Sequence, residues 1–119
     1  MKRDMDLVRR IAFATEALPF DGELHELPGV APDSFTEHVR WMREAGLIEA
    51  ALRPMGAGAI VTRLTWAGCE FADAARSDTL WAKAKTSVIK PGTSFSFDLL
   101  KEWLKTEISK GFPTLGGLG

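Results

Sequence analysis

The sequence predicts an α+β domain, and three observations predict it. An amphipathic stretch from Pro32 to Ala45 closes on Gly46. Two β-branched and aliphatic runs follow, Leu47 to Arg53 and Ile60 to Thr65, with Pro54, Gly56 and Gly58 between them. A further helical pattern opens at once at Trp66. Helix, tight stop, hairpin and helix in that order are the sequence form of a winged helix: a helix-turn-helix-like body with a β-hairpin wing, here followed by extra C-terminal helices. The domain is expected over residues 1–110. Residues 111–119 carry four glycines and one proline and are expected to form a flexible tail.

The first helix is expected from Asp4 to Leu18. Leu7, Ile11, Ala14 and Leu18 recur at helical spacing, and Val8 and Ala12 widen that stripe. Asp4 and Asp6 suit the positive N-terminal end. Pro19 stops the helix, because the residue before a proline avoids the α region. Asp21-Gly22 and Pro28-Gly29 are turn signals, and the alternation between them predicts a short edge strand within Phe20 to Val30. An ordinary helix-turn-helix places a short helix before its recognition helix, and little room remains for one here.

Pro32 opens the second helix, where its missing N–H costs nothing. Phe35, Val39 and Met42 form its inward stripe with His38 beside them, while Glu37, Arg40, Trp41 and Glu44 point outward. Gly46 is a natural stop, able to take positive φ. Thr65 is positioned to cap the helix from Trp66 to Arg76, whose apolar positions are Trp66, Cys69, Phe71, Ala72 and Ala75. Ser77 or Asp78 caps a helix from Thr79 to Val88, with Leu80, Trp81 and Ala84 as its stripe and Lys83 and Lys85 solvated. Lys90-Pro91-Gly92 is a break. Ser94 or Ser96 begins a last helix reaching Ser109. Its apolar positions fall on two sides: Phe97, Leu100, Leu104 and Ile108 on one, Leu99 and Trp103 on the other.

Composition bounds the function. The chain has 119 residues, 45% hydrophobic and 26% charged, which suits one globular domain with a real core. Fifteen basic residues stand against 16 acidic ones, so no basic excess marks a nucleic-acid binder and only a local patch can serve. One cysteine excludes an internal disulfide and fits a reducing compartment. The opening MKRDMDL has acids where a signal peptide needs an apolar run, and no run is long enough for a membrane span. A cytoplasmic protein without membrane contact is expected.

Four blocks carry a resemblance: KRDMDLVRRI from Lys2, HVRWMREAGLIEA from His38, RLTWAGCEFADAARSDTLWAKAK from Arg63 and SFDLLKEWL from Ser96. They resemble an uncharacterised bacterial and prophage family, domain of unknown function 2513, over most of residues 1 to 105. The resemblance implies a winged-helix fold and brings no activity, ligand or catalytic residue. AGLI followed by RLT-x-AG also looks like the second half of many winged-helix transcription regulators. Two positions depart from the pattern. Cys69 stands where similar sequences often have His, and Ala31 stands where a capping Ser is usual.

The fold makes double-stranded DNA the leading candidate partner. The N-terminal outer residues of the second helix would read the groove: Ser34, Glu37, Arg40 and Trp41. Arg40 would donate to guanine and Arg43 to phosphate. Arg53 and Arg63 on the wing would grip the backbone, helped by Arg9 or Arg10. Glu37 and Glu44 on the same helix oppose phosphate, and a solvated helix face that binds nothing remains the plain alternative. The competing reading is a docking module without DNA, anchored by Trp41, Trp103 and the wing tip around Met55, since Trp is enriched at interface hot spots. Leu99 and Trp103 are the candidate homodimer interface. Trp66 and Trp81 are expected in the core.

No catalytic, cofactor or metal constellation is expected, and the chain is not read as an enzyme. His38 reads as a satisfied, half-buried imidazole. His25 with Glu23 and Glu26 lacks zinc spacing. Cys69 reads as a small packing residue. Gly56 and Gly58 belong to a turn and form no phosphate loop.

Overall fold

The computed structural model describes residues 1–89 and 96–111. It is a mixed α+β structure with five α-helices and one two-stranded antiparallel hairpin among the described residues. The chain clusters into two compact units, residues 1–72 and 73–119.

In the first unit, α1 runs Met5–Glu16 and α2 runs Pro32–Glu44. Strands β1 (Ile48–Leu52) and β2 (Ala59–Leu64) form the hairpin, and α3 (Trp66–Ala74) starts directly after it. Asp4 caps α1, its carboxylate accepting from the Asp6 and Leu7 amides. The α1 residues buried towards the core are Met5, Leu7, Val8, Ile11, Ala12 and Thr15. Thr15 is polar, and it satisfies its hydroxyl on the Ile11 carbonyl at 2.7 Å. Helix α2 starts at Pro32 without a side-chain cap, as Ala31 requires. Phe35, Val39 and Met42 are all at most 1% exposed and join Ile11, Ala12, Leu47 and Val61 as the centre of the unit.

Helix α2 stops as the glycine demands. Gly46 adopts φ +78°, its N–H donates to the Arg43 carbonyl, and the Leu47 N–H donates to the Met42 carbonyl. This double bond pattern turns the chain straight into β1. The hairpin pairs Ile48 with Leu64 and Leu52 with Ala59, with a bulge between Glu49 and Ala50. The expected edge strand contracts to a single bridge, Leu24 to Val61, with both amide bonds at 2.9 Å.

Four residues fasten the end of the hairpin to the end of α2. The Thr65 N–H donates to the Leu47 carbonyl at 2.9 Å, and the Thr65 hydroxyl donates to the Gly46 carbonyl. That same hydroxyl accepts from the Gly68 N–H, capping α3 as expected. Gly68 itself lies so close to Leu47, the residue before β1, that an added Cβ would sit 2.0 Å from its oxygen.

Two expectations about α3 are corrected. Trp66 is 83% exposed and Cys69 is exposed, so neither packs inward. The inward face of the unit's last helix runs through Gly68, Phe71 and Ala72. At 100° per residue Trp66 lies on the opposite side of that face and Cys69 on its flank. The early contact of Gly68 with Leu47 fixes this rotation.

In the second unit, α4 (Asp78–Ser87) packs against α5 (Phe97–Gly111). Ser77 caps α4 through the Leu80 amide, and Ser96 accepts from the Leu99 amide at the start of α5. Trp81, Ala84, Leu100 and Leu104 are buried, as their stripes predict, and Val88 is buried with them, while Leu80, Phe97 and Ile108 of the same stripes are half-buried. Lys83 reaches Glu107 at 3.9 Å across the pair. The Lys90-Pro91-Gly92 break, the Ser94 cap and the tail beyond Gly111 lie outside the described residues.

Candidate nucleic-acid interface

Every candidate base-reading residue lies on α2, and every candidate wing residue lies on or beside the hairpin. Their surroundings differ sharply. Arg40 is exposed but sits 3.5 Å from Glu37, one turn back on the same face. Its charge is thus partly met within the helix. Arg43 is exposed and has no ion pair among the described residues. Ser34 is half-buried and lines a shallow depression together with Asp4, Asp6 and Arg10. Two carboxylates therefore flank the end of α2 that would meet bases.

Trp41 is half-buried because it packs edge-on against His38, with ring centroids 5.0 Å apart. His38 is more deeply buried than its sequence position suggests, at 2% exposure. Its Nδ1 lies 2.7 Å from the Ser34 carbonyl, which can only accept, so Nδ1 carries the proton. Its Nε2 accepts the Asp4 N–H at 2.8 Å. Both ring nitrogens are thereby used, tying the start of α1 to α2. His38 is a structural residue with no free nitrogen for a ligand or a proton transfer.

On the hairpin, Arg53 is exposed and without an ion pair among the described residues. Arg63 is bound at 2.7 Å to Glu49, its cross-strand partner, and donates a second bond to the Leu64 carbonyl at 3.0 Å. The Arg63 hydrogen bond, and then its charge, hold the Glu49 carboxyl below the ordinary carboxylate range; the same pairing raises the guanidinium. Between the strands, Pro54–Gly56 forms a short turn in which Met55 takes φ +58° and stands fully exposed. The two further arginines are occupied elsewhere. Arg9 stacks 4.8 Å over the Phe13 ring, and Arg10 donates to the Pro28 carbonyl at 2.6 Å.

The described residues include no group of three or more His, Cys, Asp or Glu placed to hold a metal ion. His25 pairs with Glu23 at 3.3 Å. No helix among the described residues is long and apolar enough to cross a membrane. On α5, Leu99 is exposed and Trp103 half-buried, so the second apolar side of that helix is partly open. The exposed Phe20, Trp66 and Cys69 carried no signal in the sequence, since an apolar side chain at a turn or at the first position of a helix reads like any core residue.

A family model described as hypothetical protein DUF2513 matches residues 2–94. The chain belongs to the DUF2513 family. The match covers residues 2–72 of the first unit of this DUF2513 protein and α4 of the second. A relative from Haemophilus influenzae, described as an uncharacterized protein, is 33% identical over 122 residues, covering 92% of this chain and 98% of the relative. The two chains are thus alike almost end to end. No solved structure matches the chain.

Proposed function

We propose that the protein is a small winged-helix DNA-binding protein of the transcription-regulator kind, of bacterial or prophage origin. Helix α2 is the groove-facing helix and the β1–β2 hairpin is the wing. The observation that carries this reading is the succession of α1, the bridged Leu24, α2 and a hairpin, with exposed arginines at Arg40 and Arg43 on the helix and Arg53 and Arg63 on the wing. Leu24 adds a third strand position to the hairpin, as the sheet of a winged helix has. On this reading the protein binds and does not catalyse, and it works in the cytoplasm. Two copies pairing through Leu99 and Trp103 of α5 would present two reading helices to a two-fold site.

Of the four candidate arginines, Arg43 and Arg53 have no ion pair among the described residues, so they carry the test. Fluorescence anisotropy of a labelled duplex of mixed sequence, at about 50 mM salt, should rise at micromolar protein. Arg43→Ala and Arg53→Ala should each weaken binding, and the log–log salt slope should be about −2 to −4, as for a few phosphate contacts. No rise up to about 100 μM protein, the weak end of non-specific binding, overturns the reading.

A second reading, a winged-helix docking module without DNA contact, is favoured by one observation. Phe20, Met55 and Trp66 are 96%, 103% and 83% exposed, an unusual display of large apolar side chains for so small a chain.

A further inference from the structure

We propose that the cleft between the C-terminal end of α1 and strand β2 is a docking groove for a short basic peptide segment of a partner protein, one with an apolar residue beside its cations. Apart from Arg63, which lines it, the cleft uses none of the residues of the DNA reading. The cleft measures about 560 Å³, within the usual range of ligand sites, and lies wholly in the first unit. One wall is Leu18, Pro19 and Phe20, and the other is the stretch from Thr62 to Leu64.

Three features define the occupant. The first is charge. Glu16, Asp21, Glu23 and Glu49 line the cleft against one guanidinium, Arg63, so the lining sums to −3 in a chain whose net charge is only −1. Arg63 is already bound to Glu49 and the Leu64 carbonyl, and His25 lies 3.3 Å from Glu23, so Asp21 at the rim is the carboxylate on which the test leans. A groove of this sign repels phosphate and carboxylate and attracts Lys and Arg.

The second feature is the apolar wall. Phe20 is 96% exposed, yet it is not on a loose loop. The Gly22 N–H closes a tight turn on the Pro19 carbonyl at 2.8 Å, and Asp21 is held at φ +61°. A Cβ on Gly22 would lie 2.9 Å from the Pro19 ring and its carbonyl, so the turn needs that glycine. The turn therefore fixes the Phe20 backbone at the rim of the cleft, with Asp21 beside it. An aromatic face next to carboxylates suits a guanidinium or ammonium, which gains from both.

The third feature is the mixture itself. Leu18, Pro19 and Phe20 offer more apolar surface than a bare polyamine can use. A peptide bearing an aliphatic side chain between cations uses both walls. The sequence of such a partner follows from chemistry alone: Lys or Arg flanking a Leu-like residue.

The test is a titration of the full-length, 15N-labelled chain with the amidated pentapeptide Lys-Leu-Arg-Leu-Lys, read by amide chemical shifts. Saturable shifts confined to residues 15–23, Glu49, Thr62 to Leu64 and Cys69 are expected, with Kd in the range of about 0.1–1 mM for so small a probe. Phe20→Ala, and separately the pair Asp21→Asn with Glu23→Gln, should each raise Kd about fivefold or more. All three side chains are exposed, so these variants keep the fold. Absence of shifts up to several times that range, or shifts centred elsewhere, overturns the proposal. So does unchanged affinity in Phe20→Ala, which would reduce the effect to unspecific charge. Equal shifts from spermidine overturn the assignment to a peptide.

Discussion

Replacing Gly68 by alanine sets two effects of opposite sign against each other. Helix propensity alone favours alanine over glycine inside α3 by about 1 kcal/mol. The geometry says otherwise. The new Cβ would lie 2.0 Å from the Leu47 oxygen and 3.0 Å from its carbon, and both are backbone atoms with no rotamer to yield. Relief needs a movement of roughly 1 Å or more, since overpacked atoms must reach ordinary contact. The Leu47 carbonyl cannot retreat freely because it accepts the Thr65 N–H at 2.9 Å. Overpacking costs about 1–3 kcal/mol. Weakening that hydrogen bond costs about 1–3 kcal/mol more where a group is left unpaired. Set against the propensity gain, the net loss is about 3 kcal/mol, which is large for one methyl group. Urea unfolding followed by circular dichroism measures it, and the midpoint should fall by about 2 M for a slope near 1.5 kcal/mol/M. Gly46→Ala is the comparison: its Cβ meets nothing within 4 Å, and only its φ of +78° opposes the change. That substitution should cost about 1–2 kcal/mol. A Gly68→Ala protein as stable as the parent, or more stable, would refute the close approach of α3 to Leu47.

Other expectations follow from the same contacts. His38→Ala removes the acceptor of the Asp4 N–H and opens a cavity at a site 2% exposed, so it should cost about 2–4 kcal/mol in the same urea assay. Glu49 should titrate below the ordinary carboxylate range in a carbon-detected NMR titration, and Arg63→Gln should return it to that range. Because the folded pKa is the lowered one, the contribution of this pair is present at neutral pH and is lost as pH falls through that lowered value. Trp66→Ala should leave stability within about 0.5 kcal/mol of the parent, whereas Trp81→Ala should cost about 3–5 kcal/mol. Acrylamide should quench Trp66 fluorescence far more than Trp81 fluorescence, as 83% against 3% exposure requires.

Periodicity made the helices and the hairpin legible because both are local. Pro32, Gly46, Thr65 and Ser77 mark their boundaries by what their own backbones can and cannot do. The rotation of α3 was not legible, because Gly68 sets it through a contact with Leu47, twenty-one positions back. An apolar pattern of Trp66, Cys69, Phe71 and Ala72 fits two helix rotations, and only the glycine decides between them. The edge strand was half legible: turn residues bounded it correctly, but a single bridge leaves no alternation to read. Of the candidate interface, the arginines were found by element, yet their partners were hidden. Glu37 is a neighbour by helical spacing and was visible, while Glu49 meets Arg63 only through the hairpin register. The cleft beside Phe20 was invisible for the same reason, since its walls come from three separated stretches.

The fastening of Gly46 and Leu47 to Thr65 and Gly68 also gives meaning to the paired AGL and RLT-x-AG blocks. They are the two halves of one junction, separated in sequence by the hairpin. A slip of the hairpin by one residue would displace Thr65 by about 3.4 Å along the strand. The bonds from its amide and hydroxyl would then be lost together, and Gly68 would no longer face Leu47. The junction is therefore a register lock: the contacts of Thr65 and Gly68 with Gly46 and Leu47 form together only when the hairpin is correctly zipped.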